Sequence, residues 1–416
     1  MAERRLRLSP NLAAALVLAV LGAALLLWQQ PWHTDAPDER VVPIPADASS
    51  QLTAQLRELS EAQSRDAFVA AAGDLPAGRD FGRRTWQALR AVAQPGASLR
   101  YISGGEVADR ADGSATMTAE VSWRPADASG LDPEVTHRST VALRVAPERA
   151  GGFSIVDAAP ADGAVPIWLL GAVTVDSADG RSVISIDGGD DSEPVDQLAT
   201  TARAAVERTV PGVAGRLTII SPRTQQQMAA IVGQDQAAVA QIAAVTTGVD
   251  GDSAGVDPVV VLNPAVFATM DRRAAQVVLS HEATHALTSA VGTSAVNWVV
   301  EGFADYVALR DDTAPLSVSA GQALARVRAD GAPRALPTDA DFGSTQHGLG
   351  AVYESAWMIF RMLGEQHPDT DVVAFYRAVI DGAPVERALE ESFGLTVDEL
   401  TAQWRAYLTK SASTVS

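Results

Sequence analysis

The chain has 416 residues, no cysteine and a formal net charge of −19, from 32 basic and 51 acidic residues. Its hydrophobic fraction of 47% is typical of folded protein, and its length suffices for about two to three domains. The acidic charge argues against nucleic acid as a partner, because binding to phosphate backbones requires basic patches. Without cysteine, disulfides and thiolate metal sites are excluded, so any metal must be held by His, Asp or Glu.

The first 33 residues carry a membrane signal. Arg4, Arg5 and Arg7 precede an uncharged stretch whose apolar centre, Leu12 to Trp28, reads LAAALVLAVLGAALLLW. At 1.5 Å per residue this centre is about 25 Å long, near the lower limit for a membrane span. We predict a single-pass cell-membrane anchor at 1–33, with a cytoplasmic N-terminus and the remaining chain outside the cytoplasm. A cleaved signal peptide is the alternative.

Two domains are predicted beyond the anchor. Residues 34–50, rich in Pro, Asp and Ser, predict a linker. In 51–160, helical periodicity gives way to alternating stretches such as SATMTAEVSW and STVALRV, which indicates helices followed by an antiparallel sheet. This order resembles the cone-shaped nuclear-transport-factor-like superfamily in topology. In 165–410, strands and helices alternate up to the strand VVVLN at 259–263, and the rest is helical. The predicted class is therefore α+β throughout.

One motif carries recognisable chemistry. Residues 281–285 read His-Glu-Ala-Thr-His, inside a helical segment that Asp271 can cap. On a helix, positions i and i+4 share one face, so the imidazoles of His281 and His285 can reach one metal. Glu282 lies beside them. The alternative is a helix that carries two solvated histidines.

The following helix offers a third ligand. Glu301 comes sixteen residues after His285, and the short turn VGTS allows the two helices to be antiparallel neighbours. Two histidines and a carboxylate leave a fourth zinc position open for water, as catalytic sites require. Asp305 is predicted on the same helix face as Glu301, where it can accept the free N–H of a ligand histidine. We predict one bound Zn²⁺.

These residues resemble a known family. HExxH followed by Glu, in the setting of Trp298, Glu301, Gly302, Ala304 and Tyr306, looks like the gluzincin metallopeptidases. It is most similar to the peptidase-MA-like group related to aminopeptidase-N and thermolysin-type catalytic domains. The resemblance extends over about 165–410. It implies a zincin-type catalytic domain with a mixed sheet and a helical C-terminal subdomain.

The resemblance also implies a mechanism and site residues. Zinc activates water, and Glu282 acts as general base in peptide-bond hydrolysis. The oxyanion donor is carried over to Tyr353, with His347 as the competing donor. The strand at 259–262 corresponds to an edge strand that pairs with extended substrate. The Gly-x-Met-Glu-Asn segment of aminopeptidase-N-like enzymes has no counterpart here, so we expect an endopeptidase rather than an aminopeptidase.

The partners predicted are thus a peptide or protein substrate and, through the N-terminal helix, a membrane. Two alternatives remain open from the sequence. One is a non-catalytic zinc-binding protein that recognises a partner at the cell surface. The other places the main function in the 51–160 domain.

Overall fold

The described part of the chain has an α+β fold with two separate sheets, one antiparallel and one mixed. The computed structural model describes residues 46–104, 114–125, 136–161, 163–189, 194–248, 258–343 and 349–415. This confirms the α+β class and the change from helices to an antiparallel sheet that the sequence predicted.

In its described residues, the N-terminal module contains three helices followed by a four-stranded antiparallel meander. The helices are α1 (Ala46–Glu61), α2 (Arg65–Ala72) and α3 (Pro76–Val92), and the strands are β1 (Ala93–Gly104), β2 (Ala115–Pro125), β3 (His137–Pro147) and β4 (Phe153–Pro160). The strand order is β1-β2-β3-β4. In β3, every second residue from His137 to Val145 is buried, which is the period of a sheet with one covered face. Helices α1 and α3 pack against the two outer strands, β1 and β4.

The second sheet belongs to the larger module and has the order β5-β6-β7-β9-β8. Its elements in chain order are β5 (Val173–Ala178), β6 (Arg181–Ile186), α4 (Val195–Thr209), β7 (Leu217–Ser221), α5 (Gln225–Ile231), α6 (Gln236–Val239), β8 (Ala244–Thr247) and β9 (Val259–Leu262). Strands β6, β7 and β9 are parallel to one another, whereas the outer strands β5 and β8 run antiparallel to their neighbours.

The prediction that residues 259–262 form an edge strand is wrong. Strand β9 lies between β7 and β8, and all four of its residues are buried. An unbroken apolar run such as Val-Val-Val-Leu is typical of an interior strand, since both of its faces are covered. The edge next to the helices is instead β8, which the sequence did not predict.

From residue 264 onward the described chain is helical. The helices are α7 (Pro264–Phe267), α8 (Arg272–Leu287), α9 (Asn297–Ala308), α10 (Leu316–Ser319), α11 (Gly321–Asp330), α12 (Asp339–Phe342), α13 (Leu349–Gln366), α14 (Asp369–Ile380), α15 (Val385–Phe393) and α16 (Val397–Thr414). Helix α8 packs against α4, α9 and strand β8, so it lies between the sheet and the helical part of the module. Its residues 277–287 are all buried.

Two predictions concern the N-terminal end. The predicted anchor at 1–33 lies outside the described residues, and none of the helices that the structure does describe is long and apolar enough to span a bilayer. Helix α1 begins at Ala46, inside the range 34–50 that was predicted to be a linker. The remainder of that range also lies outside the described part of the chain.

Candidate metal centre

Helix α8 presents the two histidines as the sequence predicted. The Asp271 side chain accepts a hydrogen bond from the backbone N–H of Ala274 at 2.8 Å, which caps the first turn. From this start, His281 and His285 lie one turn apart on the same face. Their ring centroids are 4.6 Å apart and their Nε2 atoms are 2.9 Å apart. Two facing imidazole nitrogens at this distance require a proton or a cation between them.

Helix α9 brings Glu301 to the same point. The helix lies close to α13 because residue 302 is glycine: a Cβ atom there would lie 2.7 Å from the carbonyl oxygen of Ala356. The Glu301 Oε2 atom is 3.1 Å from His281 Nε2 and 3.5 Å from His285 Nε2. The structure therefore brings together the three ligand residues that the sequence predicted.

These distances fit a tetrahedral metal. Ligand atoms at about 2.0–2.1 Å from a tetrahedral zinc ion lie roughly 3.3 Å from one another. The three separations here are 2.9, 3.1 and 3.5 Å, and all three side chains are buried. Within the described ranges, this is the one group of three or more His, Asp or Glu ligand atoms close enough to share a metal ion. The donor set suits Zn²⁺, which accepts imidazole nitrogen and carboxylate oxygen.

Asp305 lies where the sequence predicted it, behind the first histidine. Its Oδ1 atom is 2.8 Å from His281 Nδ1, and both side chains are about 1% exposed. A carboxylate at Nδ1 favours the tautomer that carries the proton there. The Nε2 atom of His281 then faces Glu301 and His285, which is the orientation a metal ligand needs.

Within the cluster, the charges of neighbouring groups act on the pKa of His281 and of Glu301 in the direction opposite to burial. Burial would lower the pKa of His281, but the carboxylates of Asp305 and Glu301 outweigh it and hold that pKa well above the usual value. Burial likewise acts to raise the pKa of Glu301, yet the two histidines lower it to about 2. Glu301 is therefore an ionised carboxylate, and the cluster offers the negative charge that a divalent cation requires.

A hydrogen bond from the sheet holds the carboxylate of Glu282 in place. Glu282 is 3% exposed, and its Oε2 atom accepts a hydrogen bond of 2.6 Å from the hydroxyl of Thr246 in β8. The same hydroxyl is 3.1 Å from the backbone oxygen of Glu282. Thr246 was missed by the sequence analysis because β8 is only four residues long and pairs with a strand that follows it in the chain.

Tyr353 lies beside the cluster, as the resemblance implied. Its ring centroid is 6.5 Å from that of His281, its side chain is fully buried, and its hydroxyl has no hydrogen-bond partner in the described part of the chain. Burial, together with the carboxylates of Glu301, Asp305 and Glu282, holds the pKa of Tyr353 well above its usual value. Among the described residues, the phenol is thus a protonated donor without a hydrogen-bond partner. The competing donor, His347, lies outside the described residues.

A second buried carboxylate, Glu354, was also missed. It accepts hydrogen bonds from the backbone N–H of Ala323 at 2.7 Å and from Gln322 Nε2 at 3.2 Å. Burial raises the pKa of Glu354 to about 8, against the opposing effect of these donors. The contacts give it a structural role at the start of α11. The sequence feature that could have indicated this residue is a lone carboxylate within the apolar segment AVYESAWMIF.

Replacing Asp305 by Ala should lower zinc affinity roughly ten- to hundredfold, because the acceptor that orients His281 is removed. Asp305→Asn keeps a neutral acceptor, so its zinc affinity should lie between those of Asp305→Ala and wild type. Competition with a chromogenic zinc chelator measures the affinity. Asp311→Ala, at an exposed aspartate paired with Arg208, is the control. Equal affinity in Asp305→Ala and wild type would contradict the role given to Asp305.

The arrangement as a whole offers two histidines and a carboxylate as ligands, with a second carboxylate and a phenol nearby. All five side chains come from helices α8, α9 and α13. Comparisons of the chain with protein-family models, with curated proteins and with solved structures give no match.

Proposed function

We propose that the protein is a zinc-dependent peptidase, an endopeptidase of the gluzincin type. The observation that supports this most strongly is the buried cluster of His281 Nε2, His285 Nε2 and Glu301 Oε2, with mutual distances of 2.9 to 3.5 Å. Three protein ligands leave a coordination position for water or substrate, whereas a structural zinc site has four. The carboxylate of Glu282 next to this cluster supports catalysis over a purely structural site.

The roles of the residues follow from their chemistry. When bound, zinc lowers the pKa of a coordinated water to about 7 and polarises a carbonyl group. Glu282 accepts a proton from the attacking water and delivers it to the nitrogen of the leaving amine. Asp305 keeps His281 in the tautomer that leaves Nε2 free. The phenol of Tyr353 donates a hydrogen bond to the oxyanion that develops on the scissile carbonyl.

We assign substrate binding to strand β8 instead of β9. In the described residues, β8 pairs only with β9 and its other edge carries no strand. It also lies directly against Glu282 through Thr246. An extended peptide that adds to this edge would form main-chain hydrogen bonds close to the proposed base.

The proposal is tested by zinc content and peptide cleavage in the same preparation. The full chain, purified in detergent, should bind one zinc ion and cut internal bonds of a mixed peptide library. Cleavage should stop after chelation and return on addition of zinc. Bound zinc without cleavage of any library peptide would favour the non-catalytic zinc-binding alternative.

Replacing Tyr353 by Phe should lower kcat roughly a hundred- to a thousandfold, which is the usual effect of removing one oxyanion donor. Zinc content should not change, because Tyr353 is not a ligand. Steady-state kinetics on a peptide identified from the library, with metal analysis, measure both. Tyr407→Phe, whose hydroxyl bonds Glu365 on the surface, is the matched control. An unchanged kcat in Tyr353→Phe would remove Tyr353 from the mechanism.

For localisation, we propose that residues 1–33 anchor the chain in the cell membrane with the peptidase module outside the cytoplasm. The support is the sequence pattern of three arginines followed by the uncharged stretch from Leu8 to Trp32. The 51–160 domain, similar in topology to the nuclear-transport-factor-like superfamily, would then lie nearest the membrane. The intact mass of the protein recovered from membranes tests this, since a chain that begins near residue 36 would indicate a cleaved signal peptide.

A further inference from the structure

The hydroxyl of Thr246 forms a polar contact between the edge strand β8 and the proposed general base, Glu282. Thr246 is 7% exposed and Glu282 is 3% exposed, so their hydrogen bond is shielded from water. The oxygens are 2.6 Å apart, which is at the short end of the range for O–H···O hydrogen bonds. The second contact of the hydroxyl, to the backbone oxygen of Glu282, is longer at 3.1 Å. A hydroxyl has one proton, and the shorter contact indicates that the carboxylate receives it.

We propose that Thr246 is the positioning residue of the catalytic site: it ties the Glu282 carboxylate to strand β8, on which the substrate would lie. This inference rests on the proposed peptidase function and deepens it. A glutamate side chain has three rotatable bonds, so the position of its carboxylate depends on the contacts that hold it. The bond to Oε2 selects one rotamer and leaves Oε1 for proton transfer.

The position of Thr246 gives this bond a consequence for catalysis. The same four-residue strand would hold the substrate backbone by its free edge and the base by one side chain. The distance between base and scissile bond is then set by a single rigid element. Loss of the hydroxyl should therefore affect the chemical step and spare substrate binding, because the main-chain edge of β8 is unchanged.

The experiment compares Thr246→Val, which removes the hydroxyl and keeps the shape, with Thr246→Ser, which keeps the hydroxyl. In the zinc-loaded full chain, kcat should fall roughly ten- to hundredfold in the Val variant with KM and zinc content unchanged. The Ser variant should retain most of the wild-type kcat. Thr218→Val, at a threonine of β7 without a hydrogen bond to Glu282, is the matched control and should match wild type.

A second measurement does not depend on activity. Denaturant unfolding of the metal-free full chain is compared for wild type, Thr246→Val, Glu282→Ala and the double variant. If the hydroxyl bonds the carboxylate, the two single effects will not add in the double variant. If it bonds only the backbone oxygen of Glu282, they will add, because that oxygen is present in all four proteins.

The outcomes separate this inference from the proposed function. Additive unfolding effects, a Val variant with wild-type kcat, or a Ser variant as slow as Val would each overturn the positioning role while leaving the peptidase proposal intact. If wild type cleaves no peptide, the peptidase proposal fails by itself. The unfolding cycle then still decides whether Thr246 holds the Glu282 carboxylate, with coupling in its favour and additivity against it.

Discussion

Replacing Glu282 by Gln is expected to remove most peptide cleavage while leaving zinc bound. The substitution keeps the shape of the side chain, and the amide oxygen can still accept the hydrogen bond from Thr246. What the amide cannot do is accept a proton from water near neutral pH. A general base contributes typically about a hundred- to ten-thousandfold to a rate, so kcat should fall by this factor.

The zinc content of this variant makes the result interpretable. Glu282 is not among the three residues whose ligand atoms converge, so Glu282→Gln should bind one zinc ion as wild type does. Elemental analysis and initial rates on the same peptide are measured in the same preparation. Glu391→Gln, at an exposed glutamate paired with Arg387, is the control for the change in charge. A variant with full zinc content and wild-type kcat would show that Glu282 is not the base.

The grouping of His281, His285, Glu301 and Asp305 is the part of the candidate site whose geometry was best predicted from the sequence. A helix fixes the relation between positions i and i+4, so the spacing of His281 and His285 determines their common face. The connection to the next helix, which at residues 288–296 is longer than the predicted turn VGTS, limits where Glu301 and Asp305 can lie. Both are close to His281 in the structure, with Glu301 3.1 Å from Nε2 and Asp305 2.8 Å from Nδ1. Helical periodicity and the connection between two consecutive helices therefore suffice to predict that these four residues lie close together.

The order of the strands in the mixed sheet could not be predicted from local periodicity. Pairing between β8 and β9 joins segments separated by residues 248–258, of which 249–257 lie outside the described residues. Sequence periodicity carries no information on which neighbour a strand selects, because the partners meet only in the folded chain. The edge was assigned to residues 259–262 from the family resemblance, although their unbroken apolar run is typical of an interior strand.

The contact between Thr246 and Glu282 depends on that same strand order. A threonine within Ala-Val-Thr-Thr has no local feature that indicates a role at a site 36 residues further along the chain. The role of such a residue can be recognised only from the structure, which shows the sheet packed against helix α8. Glu354 is a lone carboxylate in an apolar helix, but it meets its partners on α11 only through tertiary packing.

Removing a ligand should also remove the stabilisation that zinc provides. A metal that binds only the folded chain adds about 4 kcal/mol to the free energy of unfolding at a free concentration a thousandfold above Kd. Since the three ligands are buried and come from two helices that pack together, zinc should raise the melting temperature of the metal-stripped wild type by roughly 10 °C. In His285→Ala and Glu301→Ala the increase should be lost.

Thermal unfolding followed by circular dichroism, with and without zinc, measures this difference for each protein. His367→Ala is the matched control, because His367 packs on Phe393 with a centroid distance of 4.8 Å and is not part of the cluster. Its response to zinc should equal that of wild type. If zinc raised the melting temperature of His285→Ala as much as that of wild type, the stabilising ion would bind elsewhere. The cluster at α8 and α9 would then lose its assignment as the metal centre, even if Glu282→Gln were inactive.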